Sequence, residues 1–359
     1  MTTETTTDAA IDEARLGSFI EQAVRELAAA ASAAVIYVGD KLGLYRELAG
    51  RGPTTASELA AATGTNERLV LEWLRNQAAG GYVDHDEAIG TFTLPPEHAA
   101  VLADDASPVF MAAQYDVVAS MWADTAKVMH AFRGDGGIDW GDHDHRLYDG
   151  IARSFRPVFE ANLATEWLPA LDGVVDKLRG GGRVADVGCG SGNSTVTMAT
   201  AFPDATVVGY DRHWPSIATA RSRAQRAGRV EVRFDVVDAV DLPEGDFDLI
   251  CFFDALHDMG DPKAAAEGAR RALADGGTVV VVEPKAGDTL ADNQNSVSRM
   301  FYAGSVFMCT PSALAQPGPE ALGAQAGPAT MCGLLEDAGF RTARVAHESP
   351  LNTVIEARP

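Results

Sequence analysis

The 359-residue chain is short of positive charge: 29 Lys+Arg stand against 51 Asp+Glu, a formal net charge of −22. That deficit argues against a polyanionic partner such as nucleic acid. Cysteine is scarce as well. The four residues Cys189, Cys251, Cys309 and Cys332 form no CxxC pair. Neither a disulfide framework nor a cysteine metal knuckle is indicated, and reduced thiols in a cytoplasmic protein fit. No apolar run approaches the ~20 residues of a membrane helix, so no membrane partner is expected. The opening stretch, MTTETTTDAAIDEAR, lacks the basic start and apolar run of a signal peptide and reads as a frayed tail. Apolar residues are plentiful at 46%. With this length they predict a globular chain of two domains, at roughly 150 residues each.

The most informative stretch is RVADVGCGSG, Arg183 to Gly192. Val184, Ala185 and Val187 are small and apolar, as a buried parallel strand requires. Asp186 interrupts them, and Gly188, Gly190 and Gly192 alternate with Cys189 and Ser191. Glycine admits positive φ and lets a ligand approach the backbone. Ser194 to Phe202 reads as a helix. Strand, glycine turn and helix together form the nucleotide-binding corner of a doubly wound sheet.

The chain around this corner falls into two parts. Gly17 to Ala34 and Ala33 to Leu48 read as helices, broken at Gly50-Arg51-Gly52-Pro53. Thr55 caps a short helix, with Glu58 completing a capping box. Asn66 to Ala79 is a longer helix with Val70, Leu71, Leu74 and Ala78 inward. Tyr82-Val83 and Thr91 to Leu94 make a two-stranded wing. This is a winged helix-turn-helix, which either places its second helix in a DNA groove or serves as a dimerisation surface. Residues 1–130 hold 19 Asp+Glu and 8 Lys+Arg, a net of −11. Phosphate neutralisation dominates DNA affinity, so charge favours the dimer surface and no nucleic acid. Residues 105–150 read as a helical connector. His143 and His145, beside Asp142 and Asp144, read as solvated loop residues with no third metal ligand. No metal is expected.

Beyond Gly192 the elements alternate as a doubly wound sheet should. Ala205 to Tyr210 is a second strand ending at Asp211, 19 residues past Gly192, where an acid bonds ribose hydroxyls. Val230 to Val236, Asp248 to Phe253 and Gly277 to Glu283 are further strands. Asp238 follows the first of these. Arg341 to His347 and Asn352 to Ala357 form an antiparallel closing pair. The predicted fold is α/β: a Rossmann-like doubly wound seven-stranded sheet behind a mostly helical winged-helix domain. The domain limits are 1–150 for the winged helix with its connector and 151–359 for the sheet domain. An insertion at about 286–330, apolar at Met300, Phe301, Tyr302, Val306, Phe307 and Met308, is either a lid over a pocket or plain core.

A dehydrogenase turn would run G-x-G-x-x-G toward a pyrophosphate. Here the third glycine comes one residue early and an acid precedes the first. The glycine motif, Asp211, Asp238 and FDLICFFDALHD instead resemble a class I S-adenosylmethionine-dependent methyltransferase, over about 175–359. With the winged helix, EPKAGDTLADN, GAQAG and NTVIEARP, the chain is similar to the actinobacterial winged-helix methyltransferases. More distantly it resembles small-molecule O-methyltransferases. That resemblance implies S-adenosyl-L-methionine as cofactor, S-adenosyl-L-homocysteine as product, and a homodimer built through the N-terminal domain.

The resemblance also assigns roles. Gly188 and Gly190 would let the cofactor approach, and Asp186 would orient its ammonium. Asp211 would take the ribose hydroxyls, with Arg212 flanking the adenine. Asp238 and the Ala239 N–H would hold the adenine, and Phe253 would lie near the sulfonium. His257-Asp258 matches a catalytic His-Asp pair, and Glu283 stands where the family places a carboxylate beside the histidine. The family's second glutamate has no counterpart around Ala326 to Thr330. His257 is then a general base, titrating near working pH, or a structural or capping histidine. Phe301, Tyr302 and Phe307 are the substrate-side candidates. The implied reaction moves a methyl group to a small, largely apolar or aromatic acceptor, through a hydroxyl oxygen. An N- or C-methyltransferase, or a DNA-binding regulator that senses the cofactor, are the alternatives.

Overall fold

The computed structural model describes residues 11–134 and 136–359. Residues 1–10 of the stretch read as a tail lie outside the described residues. Two compact units meet between Asp104 and Asp105. The helical connector, grouped above with the winged helix, falls in the second unit.

The first unit runs α1 (Glu13–Lys41), α2 (Leu44–Ala49), α3 (Ala56–Thr63), α4 (Glu67–Ala79), β1 (Asp84–Asp86), β2 (Thr91–Thr93) and α5 (Pro96–Leu102). The break between the two helices expected at its start falls at Gly43, not near Ala33. The alanine-rich stretch holds no proline, and the chain turns only at Gly43, which takes φ 72°. Asp12 starts α1 by accepting from the N–H groups of Ala14 and Arg15. The Thr55–Glu58 capping box forms on α3 as expected. The wing pairs Asp84–Asp86 with Thr91–Thr93, two residues later than expected on its first strand. Val83 is buried instead. Leu16, Phe19, Ile20, Val24 and Leu27 of α1 are exposed in the single chain.

The second unit opens with α6 (Gln114–Ala131), α7 (Arg146–Asn162) and α8 (Val174–Arg179). The alternating part follows: β3 (Arg183–Val187), α9 (Asn193–Ala201), β4 (Thr206–Asp211), α10 (Trp214–Arg226), β5 (Arg233–Val236), β6 (Phe247–Phe253), α11 (Pro262–Ala272) and β7 (Leu273–Pro284). The insertion holds α12 (Ser296–Gly304), a π-helical turn Ser305–Cys309, and α13 (Thr310–Leu314). Then come α14 (Pro328–Asp337), β8 (Thr342–Glu348) and β9 (Asn352–Arg358). The sheet order is β5-β4-β3-β6-β7-β9-β8, with the last two strands antiparallel. The strand expected from Val230 begins only at Arg233, because Val230 is exposed.

Both sheet faces are covered, as a mostly parallel sheet requires. Ala265, Ala266 and Ala269 of α11 and Leu335 of α14 pack on one face against Ile250, Phe252 and Val281. Leu163, Trp167, Leu178 and Met198 cover the other, against Leu249, Cys251 and Val280. The carboxyl ends of β3, β4 and β6 therefore open toward one edge of the sheet, where such folds bind ligands.

Candidate functional site

The glycine turn is braced by its neighbouring strand. The N–H groups of Gly188 and Cys189 both donate to the Tyr210 carbonyl, at 2.8 and 3.0 Å. Gly188 has φ 73°, and a Cβ there would stand 2.6 Å from that of Ala255. No other residue fits this position without displacing the β6 loop. The Gly190 N–H donates to Asp211 Oδ2, and the His213 N–H to Asp211 Oδ1, each at 2.8 Å. Burial raises the pKa of Asp211, against these two hydrogen bonds.

A cavity of about 290 Å³ opens beside the turn. Gly188, Gly190, Asp211, Arg212, Asp238, Ala239, Phe253 and His257 all line it. Asp238 also caps a 3₁₀ turn by accepting from the Val240 N–H at 3.2 Å. Phe253 is backed by Trp167, with ring centroids 6.2 Å apart. Asp186 is not on the wall. It is fully buried, and its Oδ2 accepts from the hydroxyls of Ser194 (2.6 Å) and Thr195 (2.5 Å). Its Oδ1 has no partner. Burial pushes its pKa up to about 6.

At the other end of the cavity His257 has a carboxylate beside each ring nitrogen. Nδ1 pairs with Glu283 Oε2, and Nε2 lies 3.1 Å from Asp258 Oδ1. Glu283 stands behind the histidine, off the main wall. Burial opposes charging of His257, but the Glu283 and Asp258 carboxylates outweigh it, so its pKa is well above the ordinary value. Asp254, on the wall, takes φ 53°, a left-handed conformation that costs a non-glycine residue roughly 1–2 kcal/mol. Burial pushes its carboxyl up to about 7, against the pull of His257. Cys309 comes from the insertion, and its Sγ, a His257 ring nitrogen and an Asp258 oxygen lie within 4.8 Å of one another. Burial pushes this thiol up to about 12.

The insertion supplies the apolar wall through Met300, Phe301, Gly304 and Met308. Of the three substrate-side candidates, Phe301 lines this wall, and Tyr302 and Phe307 do not. The stripe recurs at three- and four-residue steps along α12 and its π-helical turn, and these two side chains fall between its rows. Tyr302 instead accepts from Asn293 Nδ2 at 3.4 Å.

The connector supplies a further part of the wall. Trp140, Tyr148 and Gln114 line it. Asp139 pairs with Arg212 at 2.9 Å, and Tyr148 stacks on His213 at 5.2 Å. The Ile138 N–H donates to the Pro311 carbonyl at 2.9 Å. His143 is buried, contrary to the solvated reading. Its Nδ1 lies 3.1 Å from Asp124 Oδ2 and its Nε2 3.3 Å from Ser312 Oγ. His145 is exposed as expected. Sequence reasoning missed Trp140, Tyr148, Asp254 and Cys309. Asp254 alone carried a signal, as the other acid of the FFDALHD stretch. In α4, Arg68 and Arg75 both pair with Glu72, which leaves that helix little free positive charge.

Residues 178–323 match the family model "Methyltransferase domain", and residues 30–104 match the "Rv2258c-like winged HTH domain". The chain therefore has the domain composition of a winged-helix methyltransferase. An uncharacterized 37.1 kDa protein in a transposon of Streptomyces fradiae is 33% identical over 134 residues, which are 37% of this chain and 35% of that protein. The 27-O-demethylrifamycin SV methyltransferase of Amycolatopsis mediterranei is 36% identical over 107 residues, 29% of this chain and 39% of that one. The chain thus spans well under half the length of these curated relatives. Among solved structures, mitomycin 7-O-methyltransferase has a TM-score of 0.72 at 21% identity, over 97% of this chain and 100% of that one. Human N-acetylserotonin methyltransferase, solved in complex with S-adenosylmethionine, gives 0.67 at 17%, over 98% and 99%. The described residues share the fold of these solved methyltransferases.

Proposed function

We propose that the protein is an S-adenosylmethionine-dependent methyltransferase that methylates a hydroxyl oxygen on a small, largely apolar or aromatic acceptor. One observation carries the reading: a single cavity joins the glycine turn and Asp211 to His257 beneath an apolar wall. The residues suit the cofactor. Gly188 keeps the turn free of side chains, and Asp211 and Asp238 offer carboxylates to hydroxyl and amino groups. When bound, S-adenosylmethionine supplies an electrophilic methyl group on its sulfonium.

The chain's part is to align and to accept a proton. Glu283 holds His257 through Nδ1–H, so in the neutral imidazole, after the Nε2 proton has been lost to solvent, Nε2 is the atom that takes the acceptor's proton, with Asp258 turned aside. Alignment contributes a large share of the barrier reduction. Phe301, Met300 and Met308 keep water away from the acceptor. No metal is needed for this chemistry. Carboxylates surround His257, and Arg212 is already paired with Asp139, so the site favours a neutral acceptor over an acid. The exposed apolar face of α1 supports a homodimer, and the paired arginines of α4 speak against a DNA-binding regulator.

Calorimetry with S-adenosylhomocysteine tests the assignment. Asp211→Ala is expected to weaken binding at least tenfold, about 1.4 kcal/mol. Tight NADH binding with no response to S-adenosylhomocysteine would overturn it.

A further inference from the structure

His257 also borders a second, much smaller cavity of about 10 Å³, shared with Glu283, Ala324, Met331 and Thr353. Two polar atoms here lack partners. Glu283 Oε1 and Thr353 Oγ1 are both buried without a hydrogen bond, in residues only 6% and 2% exposed. Thr353 lies on β9, directly opposite Glu283 on β7. Side chains directly opposite in an antiparallel pair share a face, with Cβ atoms roughly 4.5–5.5 Å apart. Leaving a buried hydroxyl and a buried carboxylate oxygen unpaired on the same face is costly, and more so for the charged group. A cavity of about 10–15 Å³ admits one water, and such a water needs two or more polar partners. This cavity has that size, and those two atoms are its partners.

We infer that one bound water bridges Thr353 Oγ1 and Glu283 Oε1, making Thr353 a positioning residue for the Glu283–His257 pair. The Glu283 carboxylate is then held at both oxygens, by the imidazole at Oε2 and by the water at Oε1. It cannot rotate away from Nδ1 without breaking the bridge. The bridge is a statement about this chain's structure, and only its catalytic consequence rests on the methyltransferase reading.

A near-atomic-resolution crystal structure of the full chain tests the water directly. One ordered water within hydrogen-bond distance of both oxygens is expected. A direct Thr353–Glu283 bond, or no density between them, overturns the inference. The positioning role is read from the His257 ring by NMR titration, with His257→Gln assigning the resonance. Thr353→Val is expected to move the midpoint by at least half a unit toward the ordinary histidine value, and Thr353→Ser to leave it in place. An unshifted Thr353→Val midpoint overturns the role, and Thr353→Ala serves in its place if the valine variant does not fold. Neither readout uses cofactor or acceptor. A wild-type protein that ignores S-adenosylhomocysteine would therefore sink the methyltransferase reading alone.

Discussion

An imidazole gripped by carboxylates on both nitrogens is a poor base until one of them moves. His257 has this arrangement, and its pKa is raised well above the ordinary value by Glu283 and Asp258, against burial. Two consequences follow with definite sign. The proton-accepting form appears only as pH rises through the raised pKa, so methyl transfer should climb with pH beyond the ordinary histidine range of about 6.5. The same shift stabilises the fold, fully so below the unfolded-state value, and this contribution is lost as pH rises through the folded-state value. His257→Ala is expected to cut turnover roughly 10²–10⁴-fold, with S-adenosylhomocysteine affinity nearly unchanged by calorimetry. A panel of phenols and aliphatic alcohols, assayed beside the variant's melting temperature, checks this. Near-normal turnover would show that alignment alone drives transfer. A lost fold would make the histidine structural.

The insertion between β7 and α14 presents one stripe of side chains to the cavity. Phe301→Ala and Met308→Ala should raise KM for the acceptor several-fold while cofactor affinity stays level. Tyr302→Ala should leave both near wild type, because its ring lies off that stripe. Steady-state kinetics on the first acceptor turned over, with calorimetry alongside, separates the two groups. An equal effect from all three variants would mean that the insertion acts only as packing. The stripe's existence was legible in the apolar composition of 297–314, but its phase was not. A π-helical turn at Ser305–Cys309 alters the register, so spacing alone does not separate Met300 and Met308, on the wall, from Tyr302 and Phe307, off it. The glycine turn, Asp211 and Asp238 were legible because a parallel strand end is a local pattern of buried apolar residues followed by a polar break. His143 was not. Its neighbours in sequence are acids in a polar loop, whereas its partners Asp124 and Ser312 come from elements 19 and 169 residues away. The alanine run of α1 carries no cue for where the helix ends, so the break at Gly43 is not legible in it.

At the scale of the whole chain, a net charge of −22 keeps copies apart, so any self-association must come from apolar contact. The exposed Leu16, Phe19, Ile20, Val24 and Leu27 on α1 offer it, and a two-fold pairing would bury the same face on both copies. Light scattering is expected to give twice the mass of one chain, and Phe19→Glu with Val24→Glu to give a single one. A wild-type monomer, or a salt-sensitive shift of a specific DNA fragment, would count against this surface. The connector from Ile138 to Tyr148 has a different consequence. It is tied to the insertion through Pro311 and Ser312, and to the strand-end side through Arg212 and His213. One stretch of chain therefore borders both ends of the cavity. On the methyltransferase reading, cofactor and acceptor would then leave past the same segment. Loosening it, as with Asp139→Ala, is expected to change the release of S-adenosylhomocysteine and of methylated product together, which stopped-flow measurement of both off-rates checks.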